Sequence, residues 1–110
     1  MIYELRSYTV ETGKMEDLKA RFRDHTLRLY KKHGIKPIAF FTPLIAEASN
    51  KLIFILEFKD FAHREAANAA FGADPEWQKA FEDSHKNGIL VTSVENKILA
   101  PTDFSPLGND

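Results

Sequence analysis

The order in which two hydrophobic periodicities alternate along the chain restricts its fold more than any other feature. A period of two indicates strands, and apolar residues at steps of three and four indicate helices. The predicted strands cover residues 1–8, 38–47, 52–58 and 89–99, with one helix after the first strand and a second, broken at Gly72, after the third. The predicted helix caps are Thr12 or Gly13, then Asp60, and Asp74 after the break. Two β-α-β halves joined by a hairpin predict a ferredoxin-like α+β fold, with helices on one face of a four-stranded antiparallel sheet.

Composition narrows the class of protein further. The length of 110 residues predicts one domain, residues 1–110, with an irregular tail at about 101–110. The net charge is -1, and the chain has no cysteine. The lack of a basic stripe argues against nucleic acid and anionic membranes as partners. The longest apolar run, Leu52–Leu56, is too short for a membrane span, and no signal peptide is visible, so we expect a cytoplasmic protein.

Charged residues recur within the predicted strands. Because side chains alternate across a strand, we expect one sheet face to combine apolar and charged groups, namely Ile2, Glu4, Arg6, Tyr8, Ile53, Ile55, Glu57, Glu95 and Lys97. Such a face suits contact with a second copy across a two-fold axis, in a homodimer whose interface charges are Glu4, Arg6, Glu57, Glu95 and Lys97. The alternative is that Arg6 clamps the carboxylate of a ligand, oriented by Glu4 or Glu57.

The sequence offers little support for a metal or a nucleotide cofactor. The four histidines lack zinc-pair spacing, no cysteine assists them, and the glycines form no phosphate loop, so we predict neither a metal site nor a cofactor. His25 flanks the apolar stripe of the first helix and is the one candidate for a general base. The alternative is a histidine at the edge of the core, bonded to the backbone.

A ligand pocket in this fold would open between the sheet and the helices, because the other sheet face is expected to meet the partner. The side chains predicted to line it combine an apolar wall with a few polar groups. They are Tyr3, Ser7, Phe22, Phe54, Phe58, Trp77, Phe81 and His85, with His25 beside them. The same set is also what a packed core would contain.

Several short motifs occur together in the order found in one known family. Tyr3–Tyr8, Gly13-Lys14, His33-Gly34, the segment 61–66 followed by 74–77, and the closing segment 101–107 resemble the NIPSNAP family. The resemblance implies a dimeric α/β barrel, in which two ferredoxin-like sheets close face to face with the helices outside. It implies no assigned activity. Superfamily neighbours include cofactor-independent monooxygenases, haem-degrading enzymes and sugar mutarotases.

Two classes of function follow from these observations. The first is a protein that binds a small apolar or aromatic metabolite between the sheet and the helices without turning it over, since no catalytic constellation is visible. The alternative is a cofactor-independent monooxygenase or isomerase of the dimeric α/β-barrel type, with His25 as its base. A ligand that copurifies with the protein would help most to separate the two.

Overall fold

Four strands form one antiparallel sheet, and the helices cover one of its faces. A computed structural model of the protein describes residues 1–108. Its elements are β1 (Ile2–Val10), α1 (Met15–Arg21), a π-helical segment (Phe22–Thr26), α2 (Leu27–Lys32), β2 (Lys36–Phe41), β3 (Lys51–Phe58), α3 (Phe61–Ala73), α4 (Pro75–Ser84) and β4 (Val91–Leu99). The strand order β2-β3-β1-β4 interleaves the two β-α-β halves and confirms the predicted ferredoxin-like fold.

Local side-chain chemistry sets the start of two helices. The Asp60 carboxylate accepts a hydrogen bond from the His63 backbone N–H at 2.8 Å, and Asp74 accepts one from that of Glu76 at 2.9 Å. Both caps were predicted. The predicted cap of the first helix at Thr12 or Gly13 is wrong: Lys14 precedes α1, and no side chain caps it. That helix continues from α1 through the π-helical segment into α2.

The boundaries of two predicted strands and of one predicted helix differ from those in the structure. Strand β2 ends at Phe41 rather than at residue 47, because Pro43 has no backbone N–H to donate to a neighbouring strand. The loop that follows exposes Leu44 and Ile45 almost completely, at 99% each. Helix α3 runs through Gly72 to Ala73, and β4 begins at Val91 rather than at residue 89.

The core lies between the sheet and the helices. Phe54, Leu56 and Phe58 of β3 are at most 1% exposed. Phe54 contacts Phe22 of the π-helical segment at 5.4 Å and Tyr8 of β1 at 5.1 Å between ring centroids. Each of these buried side chains contributes about 1.5–3 kcal/mol through removal of apolar surface from water.

The two faces of β1 are the reverse of those predicted. Glu4 lies opposite Leu56 and Arg6 opposite Phe54, so both charges point toward the helices, with Tyr8 beside them. Tyr3 and Ser7 lie on the other face, which we call the open face. The physical reason is that α3 supplies Arg64 and Asn68 as polar partners for the charged row.

The C-terminal segment folds back over one end of the open face. A Cβ atom on Gly108 would lie 2.8 Å from Pro101 Cγ and 3.2 Å from Tyr3 Cε2. Gly108 has a φ of +80°, so both the backbone conformation and the lack of space require glycine there. Tyr3 is consequently only 6% exposed. Residues 109 and 110 of the predicted tail lie outside the described residues.

Candidate functional site

A buried carboxylate held by two guanidinium groups lies at the centre of the helix-facing side of the sheet. Glu4 is 1% exposed. Arg64 Nε donates to Glu4 Oε1 at 2.9 Å, and Arg64 Nη2 donates to Oε2 at 3.2 Å. Arg6 Nε lies 3.1 Å from Glu4 Oε2, and Asn96 Nδ2 donates to the same oxygen at 3.0 Å. These four residues are called the Glu4 network below.

The electrostatics of the Glu4 network keep the carboxylate ionised. Burial alone would raise the pKa of Glu4, but the hydrogen bonds from Arg64, Arg6 and Asn96 outweigh burial and lower the pKa to about 2. Burial would lower the pKa of Arg6, yet hydrogen bonding to Glu4 raises it overall. A carboxylate with so low a pKa is a poor proton acceptor near neutral pH. Because Arg6 also donates to Asn68 at 3.4 Å, its guanidinium is engaged by groups of its own chain.

An open groove lies between the sheet and the first helix, at the β2 edge. It has a volume of about 370 Å³, and its apolar wall is formed by Phe22, Leu27, Phe40 and Leu52. The rings of Phe22 and Phe40 meet edge to face with centroids 5.4 Å apart. Lys19 and Arg23 also line it. We call this feature the edge groove; it is apolar inside and carries two cations.

A second, more polar cleft of about 290 Å³ separates the first helix from α4. It is lined by Arg21, Ser84 and His25, and by the carboxylates Asp17, Asp24 and Asp83. We call it the Arg21 cleft. His25 is exposed on the helix surface here, rather than facing the interior between helix and sheet as predicted. The π-helical segment that begins after Arg21 shifts the helical phase at this point.

The residues predicted to line one ligand pocket are distributed over four places. Phe54 and Phe58 are fully buried in the core, and Phe22 alone reaches the edge groove. Tyr3 and Ser7 are on the open face, where the Tyr3 hydroxyl donates to Glu57 at 2.7 Å. The last three, Trp77, Phe81 and His85, pack along α4: the Trp77 and Phe81 rings lie 5.8 Å apart, and the Phe81 and His85 rings 4.2 Å apart. They therefore do not line a common pocket.

The charges predicted for a dimer interface are divided between the two sides of the sheet. Glu4 and Arg6 face the helices. Glu57 lies on the open face, bonded to Tyr3 and 3.5 Å from the Lys36 ammonium. Glu95 lies opposite Ser7, and Lys97 lies opposite Leu5, so these two share that face.

Sequence reasoning missed the charged residues that define both recesses. Lys19 and Arg23 look like solvated helix positions, and only the position of β2 brings them beside an apolar wall. Arg21 had a visible signal, since it lies three residues after Leu18 on the apolar stripe of the first helix. A charge at such a position is buried when the helix packs, and Arg21 is indeed only 6% exposed.

A model of the NIPSNAP family matches residues 3–106. The chain belongs to the NIPSNAP family. The resemblance found in the sequence motifs is thereby confirmed, and the match extends from the start of β1 into the C-terminal segment that covers Tyr3.

Individual relatives agree with this assignment. The mouse (Mus musculus) protein NipSnap homolog 3B is 29% identical over 90% of this chain, which spans only 39% of that longer protein. The structure of a NIPSNAP family protein from Agrobacterium tumefaciens is 28% identical, covers 96% of this chain and 97% of its own, and superposes with a TM-score of 0.86. A protein named antibiotic biosynthesis monooxygenase is 11% identical, covers 93% of this chain and 99% of its own, and gives a TM-score of 0.56. That last likeness shows a shared fold alone.

Two further properties concern the part of this NIPSNAP chain that the structure describes. Among residues 1–108, no helix combines the length and apolar character that crossing a bilayer requires. Within the same residues, no three histidine, aspartate or glutamate side chains are grouped so that they could hold a metal ion.

Proposed function

We propose that this NIPSNAP domain binds a small apolar or aromatic metabolite that carries an anionic group, and that the ligand lies in the edge groove. The observation that carries the proposal is an aromatic recess between sheet and helix with two cations beside it. Its volume of about 370 Å³ is within the usual range for small-molecule sites.

The apolar wall of the edge groove supports the proposal that the ligand is apolar or aromatic. Leu27 is 37% exposed and Phe41, which also lines the groove, is 54% exposed. Phe40 stacks on the buried Phe54 with ring centroids 5.0 Å apart, so the wall is rigidly attached to the core. Burial of these surfaces by a ligand would be favourable at about 25 cal/mol for each Å² of apolar area.

The two cations of the edge groove support the proposal that the ligand carries an anionic group. Lys19 has only a loose contact with Glu16, at 3.6 Å, and Arg23 is exposed. Both residues line the groove together with Phe22 and Leu27. A carboxylate or sulfonate attached to an apolar ligand would reach these cations while the apolar part stays against the aromatic wall.

Fluorescence titration with anilinonaphthalenesulfonate, an aromatic anion, tests the proposal. Leu27→Glu places a carboxylate in the groove at an exposed helix position, and we expect it to weaken binding of the probe by at least about tenfold, the effect of losing about 1.4 kcal/mol. Arg23→Gln should weaken binding by about threefold, since an exposed ion pair contributes less than 1 kcal/mol.

Leu44→Glu is the matched control, because Leu44 is 99% exposed on the loop after β2 and does not line the groove. It should bind the probe as the wild type does. If Leu27→Glu binds the probe with wild-type affinity, or if Leu44→Glu loses as much, the ligand does not lie in the edge groove.

The alternative of a monooxygenase or isomerase with His25 as base finds no comparable support. His25 is exposed and lines the Arg21 cleft beside Asp17 and Asp24, away from the apolar wall of the edge groove. A base that removes a proton from an apolar substrate needs to reach that substrate within hydrogen-bonding distance. The fold shared with a monooxygenase adds no residue in that role.

We also propose that a second copy of the chain covers the open face. Leu5 lies between Ile55 and Lys97 there, and Ser7 lies between Ile53 and Glu95. Apolar side chains thus alternate with charges of both signs, a surface that is complementary to its own copy across a two-fold axis. The Glu4 network takes no part in this interface, because it faces the helices.

Sedimentation at micromolar concentration tests the homodimer. Ile55→Arg should yield monomers, because it buries unpaired charges at the centre of the interface. Ile45→Arg, at a position 99% exposed in the loop after β2, should remain dimeric. A folded wild-type monomer at that concentration would refute the dimer. A cytoplasmic location also stays a prediction, which cell fractionation would test.

A further inference from the structure

Arg21 is a buried cation that no carboxylate among residues 1–108 neutralises. The side chain is 6% exposed, and its Nε–H has no hydrogen-bond partner among residues 1–108. Its Nη1 donates to Ser84 Oγ at 3.2 Å. The guanidinium carbon lies 5.1 Å from the Trp77 ring centroid and 5.3 Å from that of Phe81. Two aromatic faces and one hydroxyl compensate only in part for the removal of a full charge from water.

The groups that contact the Arg21 guanidinium, as far as residues 1–108 show, include no carboxylate. Burial lowers the pKa of Arg21, and within the described part of the chain the phenols of Tyr8 and Tyr30 are the groups that oppose this effect. Burial raises the pKa of the Tyr30 phenol, which favours its neutral form. The position next to the free Nε–H is therefore suited to an anion from outside the chain.

The opposite charge is found on the exposed side of the same cleft. Asp17 and Asp24 are exposed and line the Arg21 cleft. Asp83 lines it as well, but its carboxylate is shared with Lys79 at 3.1 Å and Lys86 at 3.6 Å. A simple anion would be attracted to Arg21 and repelled by these carboxylates. A simple cation would be attracted to the carboxylates and repelled by Arg21.

We propose that the Arg21 cleft binds a small amino-carboxylate, a molecule with one carboxylate and one ammonium group. The carboxylate accepts from the Arg21 guanidinium, and the ammonium lies near Asp17 and Asp24. A recess of about 290 Å³ accommodates such a ligand. The Arg21 cleft shares no lining residue with the edge groove. Binding in the cleft can therefore be tested independently of the function proposed above.

Trp77 is the single tryptophan of the chain, and its contact with Arg21 makes its emission a direct reporter. Titration with glycine, β-alanine and 4-aminobutyrate samples three separations between the two charged groups. At least one of them should give a saturable change in emission, with an affinity about tenfold or more above that of acetate or methylammonium, because it pairs with charges of both signs in the cleft whereas each simple ion pairs with one.

Two sets of variants identify the groups responsible. Arg21→Met should abolish binding, measured by calorimetry, while the melting temperature stays the same or rises, because an unpaired buried charge is removed. The double variant Asp17→Asn with Asp24→Asn changes only exposed residues; it should lose affinity for the amino-carboxylate and bind acetate more tightly than the wild type does. Asp103→Asn, at an exposed position outside the cleft, is the control and should change neither affinity.

The proposal is wrong if none of the three amino-carboxylates gives a saturable response, or if acetate binds the wild type as tightly as they do. It is also wrong if Arg21→Met lowers the melting temperature sharply and the double aspartate variant retains wild-type affinities. Arg21 would then be a structural cation, held by Trp77, Phe81 and Ser84.

Discussion

Replacement of Glu4 by glutamine measures how much a buried ionic network contributes to this fold. Glutamine preserves the size of the side chain but removes the charge that balances Arg6 and Arg64, whose side chains are only 15% and 19% exposed. The pKa of Glu4 falls from an ordinary 4.5 to about 2 in the folded protein. At about 1.4 kcal/mol for each pH unit, this difference corresponds to about 3 kcal/mol of stability at neutral pH. Loss of one partner of a buried ion pair has a similar cost, about 3–5 kcal/mol.

The pH dependence of this contribution has a definite sign. Because the pKa of Glu4 is lower in the folded state, its contribution is fully present above pH 4.5, the ordinary value, and is lost as the pH falls toward about 2. Glu4→Gln should therefore be less stable than the wild type at pH 7, and the difference between the two should shrink in acid. Urea denaturation followed by circular dichroism across this pH range gives both free energies of unfolding.

Glu65→Gln is the matched control for this experiment. Glu65 accepts a hydrogen bond from the same guanidinium, Arg64 Nη1 at 2.7 Å, but its side chain is 73% exposed. An exposed pair contributes about 0–1 kcal/mol, so this variant should be nearly as stable as the wild type. If Glu4→Gln loses less than about 1 kcal/mol at pH 7, or if its deficit does not change with pH, the Glu4 network is not the stabilising element that its geometry indicates.

Two further predictions concern single positions. Gly34→Ala should lower the free energy of unfolding by about 1 kcal/mol, because Gly34 has a φ of +73°. Gly72→Ala should raise it by up to about 1 kcal/mol, because Gly72 lies within α3 and no atom is near the new methyl group. If urea denaturation gives changes of the same sign for the two variants, this reasoning is wrong. Asp74→Asn keeps an acceptor for the cap of α4 but weakens the contacts of Asp74 with Lys32 at 2.9 Å and His33 at 2.7 Å, so its melting temperature should be lower than that of the wild type at neutral pH. Hydrogen bonds from Lys32, His33 and the Glu76 backbone lower the pKa of Asp74, so this gap should close only in strong acid, and a gap independent of pH would refute the role of the charge.

The amino-acid sequence by itself determined the order of the elements and the starts of α3 and α4. A cap is a contact between a side chain and a backbone N–H two or three residues later, as with Asp60 and His63 or Asp74 and Glu76. The apolar character of β3 on both faces likewise follows from neighbouring residues. These features depend on interactions within a few residues, and such interactions can be recognised in the chain before it folds.

The tertiary structure alone decided which face of β1 meets the helices. Alternation separates Glu4 and Arg6 from Tyr3 and Ser7, but both rows mix apolar and polar groups, so periodicity cannot say which row is covered. Glu4 is buried because Arg64 and Asn96, 60 and 92 residues further along, arrive beside it. The edge groove and the Arg21 cleft arise in the same way, from helices and strands that are distant in sequence. The buried charge of Glu4 is stabilised by partners that folding brings to it, and two of them, Arg64 and Asn96, come from other elements of the fold.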